Sequence, residues 1–294
     1  MIWSAGLRWW RPIDKEKTER MTKEVLAVKD KVILVTGAFG LIGREITRGF
    51  LEHEARVIVA GHNPGDVDRV QRELEAQFEA DEFLVCPLDV TSAESIDNCL
   101  DQGLAKFGRI DVLVNNAAID AKFDKANKEK IDSSRFENYP IELLRRSVEV
   151  NLIGAVQVAQ AVCRQMLKQG GGNIINVASS YSLVSPNQQL YDNGDGDVSF
   201  KPVDYVASKS FMPNFTRYLA TFYAKDNIRC NAVAPHGIFD GHDEKFLKNF
   251  SRLSPVGRMC DKSEINGPIL FLASDASSYM TGSVVVVDGG WTAW

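Results

Sequence analysis

The sequence predicts an α/β protein built on one doubly wound parallel sheet in a single domain. Short, continuous apolar runs alternate with amphipathic helical segments, and such runs are typical of strands covered on both faces. A glycine-rich turn follows the first run and leads into a helical segment. No linker, repeat or low-complexity tract follows residue 30, which favours one domain over residues 31–294 and a poorly ordered extension over residues 1–30.

The elements follow one another in a regular order. Strands are predicted where apolar runs of four to six residues stand between polar turns, and helices where apolar residues recur near every 3.6 positions. Two polar stretches are long for loops of a compact domain, and such loops usually carry function or lack order: 120–140 and 188–201. The predicted strands are 32–35, 56–60, 83–86, 112–114, 173–177, 228–233 and 284–287, and the predicted helices are 44–53, 66–80, 92–107, 141–169 and 204–224.

Composition and charge exclude several classes of function. The formal net charge of -5 gives no basis for a nucleic-acid partner. No apolar run reaches the roughly 18 residues that span a membrane, and the four histidines form no HExxH-type pair, so we expect neither a membrane segment nor a metal site. The cysteines are odd in number and lack CxxC spacing, which predicts buried thiols in a reducing, cytoplasmic compartment: Cys86, Cys99, Cys163, Cys230 and Cys260.

The glycine-rich turn occupies residues 36–43, directly after the first strand. Glycines let a chain turn sharply and bring its backbone against a pyrophosphate, and the following helix N-terminus offers free N–H groups to the phosphates. A plain strand–helix turn would need only one glycine. The turn therefore predicts a Rossmann-like dinucleotide site with contacts from Gly37, Phe39, Gly40, Leu41, Ile42 and Gly43.

Tyr205 and Lys209 are one helical turn apart, so the phenol and the ammonium can face the same cleft. A nearby ammonium favours phenolate, so we expect a lowered Tyr205 pKa and a phenol usable as acid or base near neutral pH. Of the seven tyrosines, only Tyr205 has a lysine four residues later. Pro213 cannot donate a hydrogen bond to the Lys209 carbonyl, which predicts a kink in this helix.

The predicted fifth strand ends in Ser179 and Ser180. Ligands of open α/β sheets bind beyond the carboxyl ends of the strands, where a serine hydroxyl can bond a substrate oxygen. The alternative is that one of the two serines caps the next element.

Together with Asn115-Asn116-Ala117-Ala118 and the closing residues 281–290, these motifs resemble the short-chain dehydrogenase/reductase family over residues 31–294. The resemblance implies that Tyr205 is the general acid in reduction and the base in oxidation, with Lys209 tuning it and holding the nicotinamide ribose. It further implies that Ser179 polarises the substrate carbonyl and that Asn151 supports a proton relay. Additional cofactor contacts are implied at Asp89, Val90, Asn115, Ala117 and Pro235.

The sequence also departs from the pattern of the family. Leu41 stands where the classical branch has glycine, so the glycine spacing is of the extended type, as is the separation of Ser179 and Tyr205. His236 replaces the usual glycine after Pro235, and Asp240 stands near the place of a threonine that often anchors the carboxamide.

The end of the second strand bears on cofactor choice. An acidic residue there would bind the ribose hydroxyls of NAD and repel a 2′-phosphate, but Gly61 occupies that position by resemblance. His62 could donate a hydrogen bond to a phosphate. The sequence therefore favours NADP over NAD by a small margin.

These residues predict an NAD(P)-dependent oxidoreductase acting on a polar substrate, similar to the oxidoreductases of bacterial surface-sugar synthesis. A nucleotide-sugar epimerase or dehydratase with a tightly bound cofactor is the alternative enzyme, and a non-catalytic NAD(P)-binding protein is the third possibility. A homo-oligomer, dimer or tetramer, is expected because Trp291 and Trp294 would be poorly covered in a monomer. The two long loops are predicted to bring polar side chains to the substrate: Lys122, Lys125, Lys128, Lys130, Asn187, Gln188, Gln189, Asp192, Asn193 and Asp195.

Overall fold

The computed structural model describes residues 26–120, 133–191 and 200–294. Most of the predicted N-terminal extension, up to position 25, lies outside the described residues. Val28, within that predicted extension, is fully buried against the domain. The packed domain therefore begins no later than Val28. Several loop residues predicted to face the substrate also lie outside the described part of the chain: Lys122, Lys125, Lys128, Lys130, Asp192, Asn193 and Asp195.

The described residues form one sheet of seven parallel strands in the order β3-β2-β1-β4-β5-β6-β7. This confirms the predicted doubly wound architecture. The chain winds outward from β1 in both directions, so the strand order reverses between β1 and β4, where open α/β sheets bind their ligands. The strands are β1 (Val32–Thr36), β2 (Arg56–Gly61), β3 (Phe83–Pro87), β4 (Val112–Asn115), β5 (Gly172–Val177), β6 (Ile228–Pro235) and β7 (Val284–Val287).

Helices cover both faces of the sheet, because successive side chains of each strand point to opposite sides. Val32 and Leu34 of β1 pack into one apolar cluster with α3, α5 and α7, whereas Ile33 and Val35 pack into another with α1 and α9. The helices are α1 (Leu41–Glu52), α2 (Val67–Glu75), α3 (Ala93–Phe107), α4 (Ile141–Val148), α5 (Ala155–Gln169), α6 (Val203–Lys209), α7 (Met212–Phe222), α8 (Glu244–Leu253) and α9 (Asn266–Ala273).

Two of the predicted helices are interrupted. The segment 141–169 forms α4 and α5 with a π-helical turn, Glu149–Gly154, between them. The segment 204–224 breaks after Lys209, and Pro213 lies in the first turn of α7, where its missing N–H costs no hydrogen bond. The expected kink at Pro213 is therefore present as a helix boundary.

Helices α8 and α9 were not predicted from the sequence. Asp243 caps α8 by accepting a hydrogen bond from the Phe246 N–H at 2.8 Å, and α9 packs against α1 beneath the glycine-rich turn. Across the described ranges, no helix combines the length and the apolar character needed to cross a membrane.

Candidate active site

The carboxyl ends of β1 and β4 are tied together by Thr36. Its hydroxyl oxygen accepts hydrogen bonds from the N–H groups of Asn116 and Ala117, both at 3.0 Å, and Asn116 Nδ2 donates to the Thr36 carbonyl at 2.9 Å. These bonds hold the segment after β4 directly against the glycine-rich turn. The structure thus brings two sequence-predicted cofactor segments together.

Two glycines of the turn have no room for a side chain. Gly37 adopts φ +65°, and a Cβ there would lie 2.8 Å from the Cα of Ala117. A Cβ at Gly43 would lie 2.2 Å from the carbonyl oxygen of Gly37. Gly40 is the cap residue of α1 and offers no side-chain cap, which leaves the first N–H groups of the helix available to an anion. These residues fit a dinucleotide pyrophosphate.

A cleft opens beside the turn at the ends of β5 and β6. It is lined by Ile42 of the turn, Ser179 after β5, Tyr205 of α6 and Pro235 at the end of β6. Four predicted site residues from distant parts of the sequence therefore share one cleft. The remaining walls come from loops, a short turn and α8: Asp120, Tyr181, Leu190, Tyr191, Lys201, His236, Gly237, Ile238, His242, Phe246, Phe250 and Met259.

Tyr205 lines the cleft together with Ser179, whose hydroxyl acts to lower the Tyr205 pKa by favouring the phenolate. Its pKa is nevertheless raised, chiefly by burial and further by the carboxylate of Asp120. The expectation of a lowered Tyr205 pKa is therefore wrong for the protein without cofactor. Lys209 does not offset burial, because its ammonium is itself buried and donates to the Val177 carbonyl at 2.7 Å.

Lys209 lies at the C-terminal end of α6, under the cleft. Burial lowers its pKa to about 8, and the negative charge of Asp120 opposes this effect. The bond to the last residue of β5 fixes the side chain between the sheet and Tyr205. The ammonium of Lys209 is thus held at the C-terminal end of β5, two residues before Ser179.

Asn151 lies in the π-helical turn and is fully buried. Its side chain accepts from the Ile119 N–H at 2.7 Å, and its Nδ2 donates to the Ile119 carbonyl and to Ser208 Oγ, both at 2.9 Å. It therefore joins the segment after β4 to α6, on the helix that carries Tyr205 and Lys209.

The residues predicted to contact the outer part of the cofactor follow β2 and β3. Asp89 accepts hydrogen bonds from the N–H and hydroxyl of Thr91 at 2.9 and 2.7 Å, which lowers the Asp89 pKa. His62 is exposed, with Nδ1 3.9 Å from the Asp89 carboxylate. Val90 is buried beneath Gly154, where a Cβ would lie 2.5 Å from the Val90 side chain.

Asn115 has a role that the sequence did not predict. It is buried, and its Nδ2 donates to the Ala155 carbonyl at 2.9 Å, so its amide secures the start of α5 to β4. Ala117 follows it beside Gly37.

Gly61 is not an open position. A Cβ there would lie 2.1 Å from the ring of Phe39, so this ring covers the end of β2. Two arginines near this end were not predicted as site residues. Arg44 donates to the Phe39 carbonyl at 3.0 Å, and Arg69 is paired with Asp66 at 2.6 Å.

His236 belongs to an aromatic cluster at the back of the cleft. Its ring centroid lies 4.3 Å from that of Trp291, 5.2 Å from Tyr181 and 5.4 Å from Phe250. Its Nδ1 is 2.5 Å from the hydroxyl of Ser180. Burial lowers the His236 pKa to about 4. The hydroxyl of Ser180 therefore bonds to the aromatic cluster, whereas Ser179 caps the following turn and also lines the cleft.

His236 should make stability depend on pH. Folding favours its neutral form, so its contribution is fully present above about pH 6.5 and is lost as the pH falls towards 4. Between about pH 7.5 and 4.5 we expect wild type to lose roughly 2–3 kcal/mol more stability than His236→Asn, measured by urea unfolding. Equal losses in the two proteins would contradict this assignment.

Among the described residues, no group of three or more His, Cys, Asp or Glu side chains is arranged to hold a metal ion.

Comparison with known proteins agrees with this geometry. Residues 37–292 match the family model described as enoyl-(acyl carrier protein) reductase. The chain is 30% identical to post-translational flagellin modification protein A of Campylobacter coli, over 90% of this chain and 99% of the relative. It is 31% identical to an NAD-dependent glycerol dehydrogenase of Listeria innocua, over 90% and 95%.

A solved structure of gluconate 5-dehydrogenase from Burkholderia cenocepacia, in complex with NADP and tartrate, superposes with a TM-score of 0.78. It is 25% identical, and the match covers 92% of this chain and 99% of that one. Residues 37–292, the range that the family model matches, contain the three glycines of the turn, the residues of the cleft and the closing segment. The chain is therefore a member of the short-chain dehydrogenase/reductase family, an NAD(P)-dependent oxidoreductase that moves hydride between a nicotinamide and a carbonyl or alcohol.

Proposed function

We propose that this enzyme interconverts an alcohol and a carbonyl on a small polyhydroxylated substrate, with Tyr205 transferring the proton. The observation that carries the proposal is that Tyr205 and Ser179 line one cleft, which the glycine-rich turn borders through Ile42, with Ser179 close enough to lower the Tyr205 pKa. A phenol and a hydroxyl that converge there can both reach one substrate oxygen.

A nicotinamide dinucleotide held in this cleft would supply the hydride chemistry. Ser179 donates a hydrogen bond to the carbonyl oxygen, and Tyr205 gives its proton to that oxygen during reduction or removes it during oxidation. Lys209 holds positive charge beneath the cleft and binds the nicotinamide ribose. Asn151 keeps α6 aligned with the segment after β4 through its bonds to Ile119 and Ser208.

The dinucleotide would lie along the carboxyl ends of β1 to β4. Gly37, Gly40 and Gly43 and the start of α1 would hold the pyrophosphate, with Phe39, Leu41 and Ile42 in contact. Asp89, Val90 and His62 would surround the adenosine, and Asn115, Ala117 and Pro235 would border the nicotinamide half.

Substrate polarity is supported by the cleft walls. Tyr181 and Tyr191 hydroxyls lie 3.3 Å apart there, and Lys201 and Asp120 form an ion pair at the same cleft. The positive and negative charges cancel, which suits a neutral polyol or sugar more than a fatty chain. The glycerol- and gluconate-dehydrogenase relatives named above are both named for polyhydroxylated substrates, one neutral and one anionic.

A panel of polyols, aldoses and aldonates tests this proposal, with NAD and with NADP, by absorbance of the reduced cofactor. We expect stoichiometric reduced cofactor from at least one compound.

The extended-type glycine spacing and the 26-residue separation of Ser179 and Tyr205 favour a second candidate, a sugar-nucleotide epimerase. That enzyme would rearrange a nucleotide sugar without accumulating reduced cofactor.

Cofactor preference should be small in wild type, with NADP slightly favoured, because no carboxylate stands at Gly61. An aspartate at position 61 would clash with the Phe39 ring, so this ring is first removed. The test therefore compares the double variant Phe39→Ala/Gly61→Asp with the single variant Phe39→Ala. A carboxylate should repel the 2′-phosphate and shift the ratio of kcat/KM about tenfold towards NAD, the equivalent of one charged hydrogen bond. An unchanged ratio would show that the 2′ position is read elsewhere.

We propose a homo-oligomer and a cytoplasmic location. The prediction that Trp291 is poorly covered in a monomer is wrong, because this side chain is 7% exposed within one chain. Exposed aromatic side chains remain at Tyr218 and Phe222 of α7 and at Trp294. Free cysteines, four of them buried, suit a reducing compartment.

Light scattering at micromolar concentration should give at least twice the mass of one chain. Tyr218→Asp/Phe222→Asp should lower that mass, because charges would be buried in the interface, whereas Tyr279→Asp, at a fully exposed ring outside α7, is the control. A monomeric wild type would contradict the proposal.

A further inference from the structure

A lysine outside the Tyr205–Lys209 motif, Lys201, lies beside the ring of Tyr205. Lys201 Nζ is 4.3 Å from the centroid of the Tyr205 ring. The same ammonium is 2.5 Å from Asp120 Oδ2. The Lys201 side chain is only 12% exposed and that of Asp120 37%, so water screens this arrangement weakly.

A cation over an aromatic face is attracted to the electron-rich ring, and the attraction grows when the phenol becomes a phenolate. An adjacent carboxylate acts in the opposite direction. Asp120 raises the proton affinity of Tyr205, while Lys209 is engaged by the Val177 carbonyl. Lys201 is therefore a cation placed to oppose Asp120 on the cleft side of the ring.

The other groups around Tyr205 do not duplicate this pair. Tyr181 raises the Tyr205 pKa, and Ser179 lowers it. On the same helix, Asp204 accepts a hydrogen bond from Ser147 at 2.6 Å on the buried side. Across the cleft stand Tyr191, His236, which is neutral above about pH 4, and His242. Apart from the two histidines, Asp120 and Lys201 are the acidic and basic side chains among the described residues that line the cleft.

We propose that Lys201 and Asp120 are positioning residues that set, in opposite directions, how readily Tyr205 releases its proton. Lys201 stabilises the phenolate, and the carboxylate of Asp120 opposes that effect. This inference rests on the proposed role of Tyr205. It assigns functions to two residues outside the sequence motifs.

Tyrosine labelled with ¹³C at Cζ gives a direct test, because this carbon shifts strongly when the phenol ionises. Tyr205 is identified as the resonance lost in Tyr205→Phe, and the protein is titrated with saturating NAD. We expect Lys201→Met to raise the midpoint by about one pH unit and Asp120→Asn to lower it by about one, as for charges within 4–6 Å. Lys201→Arg, which keeps the charge, should titrate close to wild type.

Lys168→Met and Asp101→Asn, at exposed positions on α5 and α3, change the net charge equally and should leave the midpoint unmoved. The alkaline limb of kcat/KM for alcohol oxidation should shift with the NMR midpoint. A Tyr205 resonance that titrates identically in all variants, or stays protonated in all of them, would overturn the inference. Activity retained in Tyr205→Phe would instead overturn the proposed function itself.

Discussion

Replacing Tyr205 with phenylalanine should abolish turnover while leaving cofactor binding intact. The substitution removes only the hydroxyl that meets Ser179 in the cleft. A positioned acid or base contributes about 10²–10⁴-fold to rate, so kcat should fall by that factor. Steady-state kinetics measure the loss, and calorimetric titration with NAD and NADP checks that the dinucleotide site survives.

Tyr218→Phe is the matched control, because Tyr218 is a largely exposed tyrosine on α7, away from the cleft. It should keep the wild-type rate. If Tyr205→Phe also turns over at a rate close to wild type, another group transfers the proton.

Gly43→Ala should weaken dinucleotide binding strongly. The new Cβ would lie 2.2 Å from the Gly37 carbonyl oxygen and 2.7 Å from the Cα of Ala38, which are backbone atoms of the glycine-rich turn. Relief requires the turn to move, and overpacking of this kind costs about 1–3 kcal/mol or more. We expect Kd for NAD and NADP to rise about a hundredfold, together with a lower Tm.

Gly40→Ala provides the comparison within the same motif. Gly40 has φ -85°, and its Cβ would come no closer than 3.5 Å to another atom, the Gly37 carbonyl oxygen. This variant should bind cofactor within a fewfold of wild type. If both variants lost the same affinity for cofactor, the clash at Gly43 would not be the cause of the loss.

The strands were predictable because burial on both faces leaves an unbroken apolar run in the sequence. β1 and β4 are buried along their whole length, and their predicted positions were correct to within one residue. Helix α9 was missed for the related reason that residues 268–273 are continuously apolar, which hides the helical period. Helix α8 could have been found from its cap, Asp243, followed by apolar residues at 246, 247 and 250.

The cleft was predictable only in part. Tyr205, Ser179 and Ile42 meet because motif spacing and strand order place them together. The charged pair of Lys201 and Asp120 could not be foreseen, because it joins two loops with no periodic pattern. The position of the Phe39 ring over Gly61 could not be foreseen either, because it depends on the rotamer of the Phe39 side chain.

The pKa of Tyr205 shows a similar limit. A lysine one turn away suggested a lowered value, but the direction in which Lys209 points is set by the Val177 carbonyl, and burial then dominates. Local spacing indicates which groups can meet. Desolvation and the remaining partners, which depend on the whole fold, decide the outcome.

The central claim is net hydride transfer from a polyhydroxylated alcohol to the nicotinamide. The most direct test uses the best alcohol of the panel with deuterium on its carbinol carbon, beginning with perdeuterated glycerol, and analyses the reduced cofactor by mass spectrometry. We predict reduced NAD or NADP that accumulates in step with the carbonyl product and carries one deuterium per molecule. Reduced cofactor without deuterium, or rearranged substrate with no accumulation of reduced cofactor, would contradict the claim.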